Sequence, residues 1–297
     1  MIEKGIFQNK SPWFQLLLLL LLVLAGLLIS SFLTVLYSFV RYGFEASYVF
    51  TVNELRWLQF LSVILSFLLP AMLAAWLFSK KPGQYLRLKT YPTAKVVWWV
   101  FVSLLALTPT ISLTAALNEQ LSLPSFMEPI ERWMQAQEQS ATEMTDMFLA
   151  ETGVWALIGN LIVIALSAAV VEEFLFRGSM TRIFERIFRN PHATIWTVAI
   201  IFSAIHMQFY GFIPRILLGA FLGYLVYWSR NIWLPVIAHF LNNAMAVVAM
   251  SDSDLKENPY ISGDMSDINL LPLAIAAAVC LVLFYFSIRA LRRAINE

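Results

Sequence analysis

Apolar residues in this chain fall into long unbroken runs separated by short polar segments. The runs cover residues 13–37, 57–78, 96–117, 154–176, 194–208, 212–228, 232–250 and 270–288. A helix of about 20 apolar residues crosses the roughly 30 Å hydrocarbon layer of a bilayer. None of the runs alternates with the two-residue period of a membrane β-barrel. The pattern predicts an all-α protein, a polytopic bundle of about eight transmembrane helices. The first run is too long for a signal peptide and lacks a small-residue cleavage site, so an uncleaved span is expected. Pro70, inside the second run, predicts a kink. Gly219 and Gly223, in the sixth, are spaced for close helix packing.

The polar segments differ in sign. Residues 80–95 hold Lys80, Lys81, Arg87, Lys89 and Lys95 and no acid, a net +5. Residues 177–190 hold four arginines against Glu185, a net +3, and the chain ends with Arg289, Arg292 and Arg293 before Glu297. Residues 118–151 carry seven acids against Arg132, a net −6, and residues 251–268 five acids against Lys256, a net −4. Loops rich in lysine and arginine stay on the inner side of the membrane. Eight spans with both termini cytoplasmic satisfy that rule at every informative segment. Within 130–150 and within 177–190, apolar residues recur at helical spacing. Both predict amphipathic helices, the second lying on the inner membrane surface. The chain then divides into residues 1–150 (three spans and an acidic extracytoplasmic loop), 151–250 (four spans) and 251–297 (an acidic loop, the last span and a basic cytoplasmic tail).

Composition agrees. Hydrophobic residues make up 60% of the chain and charged residues 13%, with mean hydropathy +0.72, far from the soluble average of about a quarter charged. A net charge of +1 argues against nucleic acid as a partner. The single cysteine, Cys280, allows neither an internal disulfide nor a thiolate metal cluster.

Against this background, polar side chains inside the apolar runs stand out. The fourth run closes on Val171-Glu172-Glu173-Phe174-Leu175-Phe176-Arg177. A charge at the centre of a membrane helix costs roughly 2.5–3.5 kcal/mol on insertion scales, which makes such residues functional candidates. Glu173 and Arg177, four apart with the acid first, are placed to pair. Glu172 lies about 100° round the helix and has no partner in its own segment, which leaves it free to act as a base. His206 lies in the fifth run. His239 and Asn243 share one face of the seventh. His192, after Pro191 in a basic segment, reads as an interface residue. Two histidines, an amide and two carboxylates in three apolar segments are most cheaply satisfied by one shared polar cavity. Such a set supports hydrolysis: a carboxylate takes a proton from water, and imidazole and amide groups hold the water or the oxyanion.

Glu172-Glu173-x-x-x-Arg177, Phe202-x-x-x-His206 and His239-x-x-x-Asn243 together resemble, in order, the EExxxR, FxxxH and HxxxN/D motifs of the CPBP family. That family includes the type II CAAX prenyl endopeptidases, the bacteriocin-processing and self-immunity proteins, and the proteins like lysostaphin resistance protein A. The resemblance covers about residues 150–250. It implies that Glu172 activates water, that Glu173 and Arg177 form a structural ion pair, and that His206 helps bind the water. It further implies that His239 and Asn243 form the oxyanion site and that Phe202 orients His206. Two forms of the chemistry stay open: a divalent metal, zinc first, held by Glu172, His206, His239 and Asn243, or no metal at all. The expected function is an endopeptidase of the bacterial cytoplasmic membrane. It would hydrolyse a membrane-associated peptide or protein near the cytoplasmic side, through a pocket open to the inner leaflet. The alternatives are an immunity or scaffold protein that acts by binding, and a proton-coupled transporter, against which the lack of an internal repeat counts.

Overall fold

The computed structural model describes residues 3–44, 48–252, 255 and 269–297. Most of the acidic 251–268 segment therefore lies outside the described residues, including Asp254, Lys256, Glu257, Asp264 and Asp267. Every regular element among the described residues is helical. Seven helices among them are long and apolar enough to cross a membrane: α1 (Pro12–Tyr42), α2 (Val52–Phe78), α4 (Ala94–Glu119), α6 (Val154–Phe188), α8 (Phe212–Ser229), α9 (Trp233–Met250) and α10 (Leu270–Asn296). Three further α-helices among the described residues are α3 (Pro82–Tyr85), the acidic α5 (Glu128–Leu149) and α7 (Pro191–Ala204). The fifth expected span is thus a 14-residue helix, roughly 21 Å long at 1.5 Å per residue and short of the bilayer core.

Local sequence sets the helix starts. The side chains of Ser11, Thr93, Asn190 and Asn269 each accept a hydrogen bond from a backbone N–H of the first turn. Thr51 and Glu54 form a reciprocal capping box at the start of α2. Pro70 does not break α2. A π-turn at Ile64–Leu68 precedes it, with the Leu69 N–H bonded to the Ile64 carbonyl, and this extra residue absorbs the proline.

Two expectations about α6 are corrected. It does not end at residue 176 but runs 35 residues without interruption to Phe188. The Arg177 charge is neutralised inside the bundle, so nothing forces a break there. Nor does its last part lie on the membrane surface. Ile183 and Phe184 are buried in the cluster formed with α1 and α2, because those helices offer that apolar stripe a protein partner.

Among the described residues, two large apolar cores dominate the bundle. One joins α1, α2 and α6 with Val198 and Phe202 of α7. The other joins α4, α8, α9 and α10. α9 contacts both, through Val236 on one side and Leu234 and Ala238 on the other. Gly219 and Gly223 bring α8 against α7: a Cβ at Gly223 would stand 2.8 Å from Ile195 Cγ2, and one at Gly219 would stand 3.3 Å from the Phe202 ring.

Candidate active site

Antiparallel packing of α6 and α9, with the end of α7, brings the sequence-predicted polar residues together. Glu172, His206, His239 and Asn243 all line one cavity of about 440 Å³. His206 Nε2 and His239 Nε2 each lie 3.9 Å from Glu172 Oε2. Glu173 and Arg177 sit one layer deeper, 0% and 1% exposed, joined by a 2.9 Å ion pair.

Hydrogen bonds orient each group. A carbonyl oxygen only accepts, so the His206 Nδ1–H donates to the Phe202 carbonyl at 2.7 Å. The His239 Nδ1–H likewise donates to Glu173 Oε1 at 2.9 Å. Each imidazole thus has its Nδ1 committed and turns its Nε2 toward Glu172, whose buried Oε2 has no hydrogen-bond partner. The Asn243 amide is oriented too. Its Nδ2 donates to the Ile164 carbonyl at 3.3 Å and its Oδ1 accepts from Asn242 Nδ2 at 3.1 Å, which leaves the second Asn243 N–H free. Phe202 does more than carry the motif. Its ring packs at 4.9 Å from the His206 ring and 5.9 Å from the His239 ring, centroid to centroid, and the Arg177 guanidinium lies 4.5 Å over its face. Arg177 also donates to the Gly219 carbonyl at 2.9 Å, tying α6 to α8.

Four contributors were not singled out in the sequence. Arg215, inside the apolar α8, donates to the backbone and side-chain oxygens of Gln208 at 3.2 and 2.8 Å, and Gln208 lines the cavity beside His206. Arg215 lies within electrostatic reach of Glu138 first and of Glu172 second. A lone arginine in an 18-residue apolar run is the same signal that marked Glu172. Asn118 of α4 donates to the carbonyls of Phe209 and Tyr210, both at 2.8 Å, and accepts from the Ile213 N–H. It thereby satisfies the irregular backbone after His206, which a bilayer tolerates only where it is buried in protein or lines a cavity. Asn242 holds the Asn243 amide, as above. His192 is elsewhere, its Nδ1 2.8 Å from the Tyr224 hydroxyl.

The cavity runs from Glu172 along one face of α9, His239, Asn243, Ala246 and Met250, and under Met144 and Phe148 of α5. That is the acid-rich end of the bundle. The expectation of a pocket facing the base-rich side is corrected: toward that side Phe174, Leu175, Trp233 and Val236 fill the space.

Two imidazole nitrogens and a carboxylate oxygen are zinc donor types. Donors on one tetrahedral zinc stand roughly 3.3 Å apart, closer than the 3.9 Å found here. Among the described residues no group of three or more His, Cys, Asp or Glu side chains is arranged to hold a metal ion. The donors fit a metal in kind but not in spacing.

Fold and site define a multi-pass helical membrane protein with an acid, imidazole and amide cavity sunk in its bundle. Residues 154–245, under a third of the chain, match the family model described as type II CAAX prenyl endopeptidase Rce1-like, which supports the resemblance to the CPBP family over that segment. The uncharacterized protein YpbD of Bacillus subtilis (strain 168) is 30% identical over 92 residues, 30% of this chain and 44% of that protein. The match thus spans less than half of that relative. No solved structure matches the chain.

Proposed function

We propose that the protein is an intramembrane endopeptidase that hydrolyses a peptide bond of a membrane-associated peptide or protein. The observation that carries this reading is the trio of Glu172 Oε2 and two imidazole Nε2 atoms, 3.9 Å from the carboxylate, in a cavity within the bundle. With Nε2 unprotonated on both rings all three atoms are acceptors, and a water between them satisfies two by donating its hydrogens. Glu172 takes one proton as the water oxygen bonds to the scissile carbonyl carbon. The free N–H of Asn243 donates to the developing oxyanion. His239, held through Nδ1 by Glu173, keeps its Nε2 turned to that water as an acceptor. Glu172 then returns its proton to the leaving nitrogen as the C–N bond breaks, giving a carboxylic acid and an amine.

The 3.9 Å spacing favours the glutamate-dependent form over a metal-bound one. The cavity lining, mostly Val, Ile, Leu, Met, Phe and Ala, suits an apolar stretch of substrate. By the charge rule, that substrate enters from the outer side of a bacterial cytoplasmic membrane.

The test is cleavage of a membrane peptide library by purified protein, with metal analysis and a chelator arm. Wild type is expected to cleave with or without chelator, and Glu172→Gln to be inactive while keeping its melting temperature. Full activity in Glu172→Gln refutes the mechanism. Loss of activity on chelation that returns with zinc refutes the metal-free form. A biological effect that survives Glu172→Gln assigns the protein to the binding class instead.

A further inference from the structure

At the other end of α6, on the base-rich side, a second pocket of about 370 Å³ is lined by Ser79, Gln84, Tyr85, Arg182, Glu185 and Arg186. Its charge is unbalanced. Glu185 is the carboxylate for three guanidinium groups: Arg87 at 2.5 Å, Arg182 at 3.7 Å and Arg230 at 3.8 Å. Arg186 adds a fourth. Its two terminal nitrogens donate to Gln15 Oε1 and to the Lys10 carbonyl, and among the described residues no carboxylate pairs with it. Four positive charges against one negative leave a net +3. Arg182 is held rigid by bonds to the Tyr85 and Gln84 carbonyls, both at 2.9 Å, so the cations are positioned in advance.

A second observation is independent of charge. The Tyr85 hydroxyl is buried and has no hydrogen-bond partner, although it lies within the field of Arg182, Arg186, Glu185 and Arg87. Burial pushes the phenol above its ordinary value, so it stays protonated and available as a donor. An orphaned buried hydroxyl costs roughly 1–3 kcal/mol and calls for a partner. An acceptor carrying negative charge would satisfy this hydroxyl and the surrounding guanidinium groups together.

We propose that this pocket binds a phosphate group, through Arg182, Arg186 and the Tyr85 hydroxyl. Arginine pairs with phosphate oxygens through its fork of donors. A pocket of this size also falls within the roughly 300–1,000 Å³ typical of small-ligand sites. Such a group comes either from an anionic lipid headgroup, which basic segments beside membrane helices attract, or from free phosphate.

The test uses the full chain, purified in detergent and stripped of lipid. Thermal shift and calorimetry follow titration with inorganic phosphate, short-chain phosphatidylglycerol and short-chain phosphatidylcholine. Phosphate or phosphatidylglycerol is expected to bind and to raise the melting temperature. A response to phosphate identifies the free anion as sufficient, and a response to phosphatidylglycerol alone identifies the lipid; both support the site. Arg186→Gln is expected to weaken binding at least tenfold and Tyr85→Phe several-fold. Tyr85→Phe removes an unbonded hydroxyl, so it should melt unliganded at or above the wild-type temperature, which separates a ligand role from a folding role. The proposal is overturned if neither anion binds, if phosphatidylcholine does as well as phosphatidylglycerol, or if Tyr85→Phe and Arg186→Gln bind like wild type.

Discussion

Replacing Glu173 with glutamine isolates the ion pair beneath the cavity. The side chain keeps its size, so packing is preserved and the change is one of charge. Arg177, 1% exposed, then retains the Gly219 carbonyl and the face of Phe202 but loses its counter-charge. Breaking a buried pair from one side costs about 3–5 kcal/mol, since the remaining charge is desolvated without compensation. At roughly 2–4 °C per kcal/mol this lowers the melting temperature by about 6–20 °C. Removing both charges, as Glu173→Gln with Arg177→Met, abolishes the uncompensated charge and should recover most of the loss, because an apolar replacement of a buried pair is often neutral. The assay is a melting curve in detergent, followed by size-exclusion recovery, for wild type, each single variant and the double. The single variant should also lose activity beyond its loss of folded protein, because Glu173 holds the His239 tautomer. A single variant melting within about 2 °C of wild type, or a double variant no better than the single, refutes the view that this pair is a coupled buried unit.

Other outcomes follow from the same geometry. Asn243→Ala should lower the turnover number by roughly 10²–10³, the usual cost of an oxyanion donor. Asn242→Ala should lower it less, because it only frees the Asn243 amide to turn; peptide-cleavage kinetics read both, and equal effects contradict the assignment. Gly223→Leu should destabilise the α7–α8 pair, since a Cβ already stands 2.8 Å from Ile195; a melting curve checks it. Arg56 is buried and binds Asn53, Glu151, Asn160 and the Phe148 carbonyl, fastening the end of α5 over the cavity. Arg56→Gln should raise hydrogen exchange in α5 while α9 stays protected.

By itself the sequence determined the membrane class, the helices and the chemical types at the site. Each is written in local terms: run length, capping residues, and charges whose cost in lipid marks them. The pairing of Glu173 with Arg177 belongs here, because four residues along a helix is a fixed distance. Only the tertiary structure decided which groups meet across helices. That Glu173 also holds His239, 66 positions away, depends on the register of α6 against α9, which no local pattern records. Arg215 carries a local signal, a charge in an apolar run, but its partner does not, and Asn118 reads as a lone polar residue until folding sets both against the backbone after His206. Tertiary packing also decided that α6 continues past Arg177 and that the cavity opens at the acid-rich end. A charge breaks a membrane helix or faces water only when the surrounding helices leave it unsatisfied, and here Glu173 and the Gly219 carbonyl satisfy it.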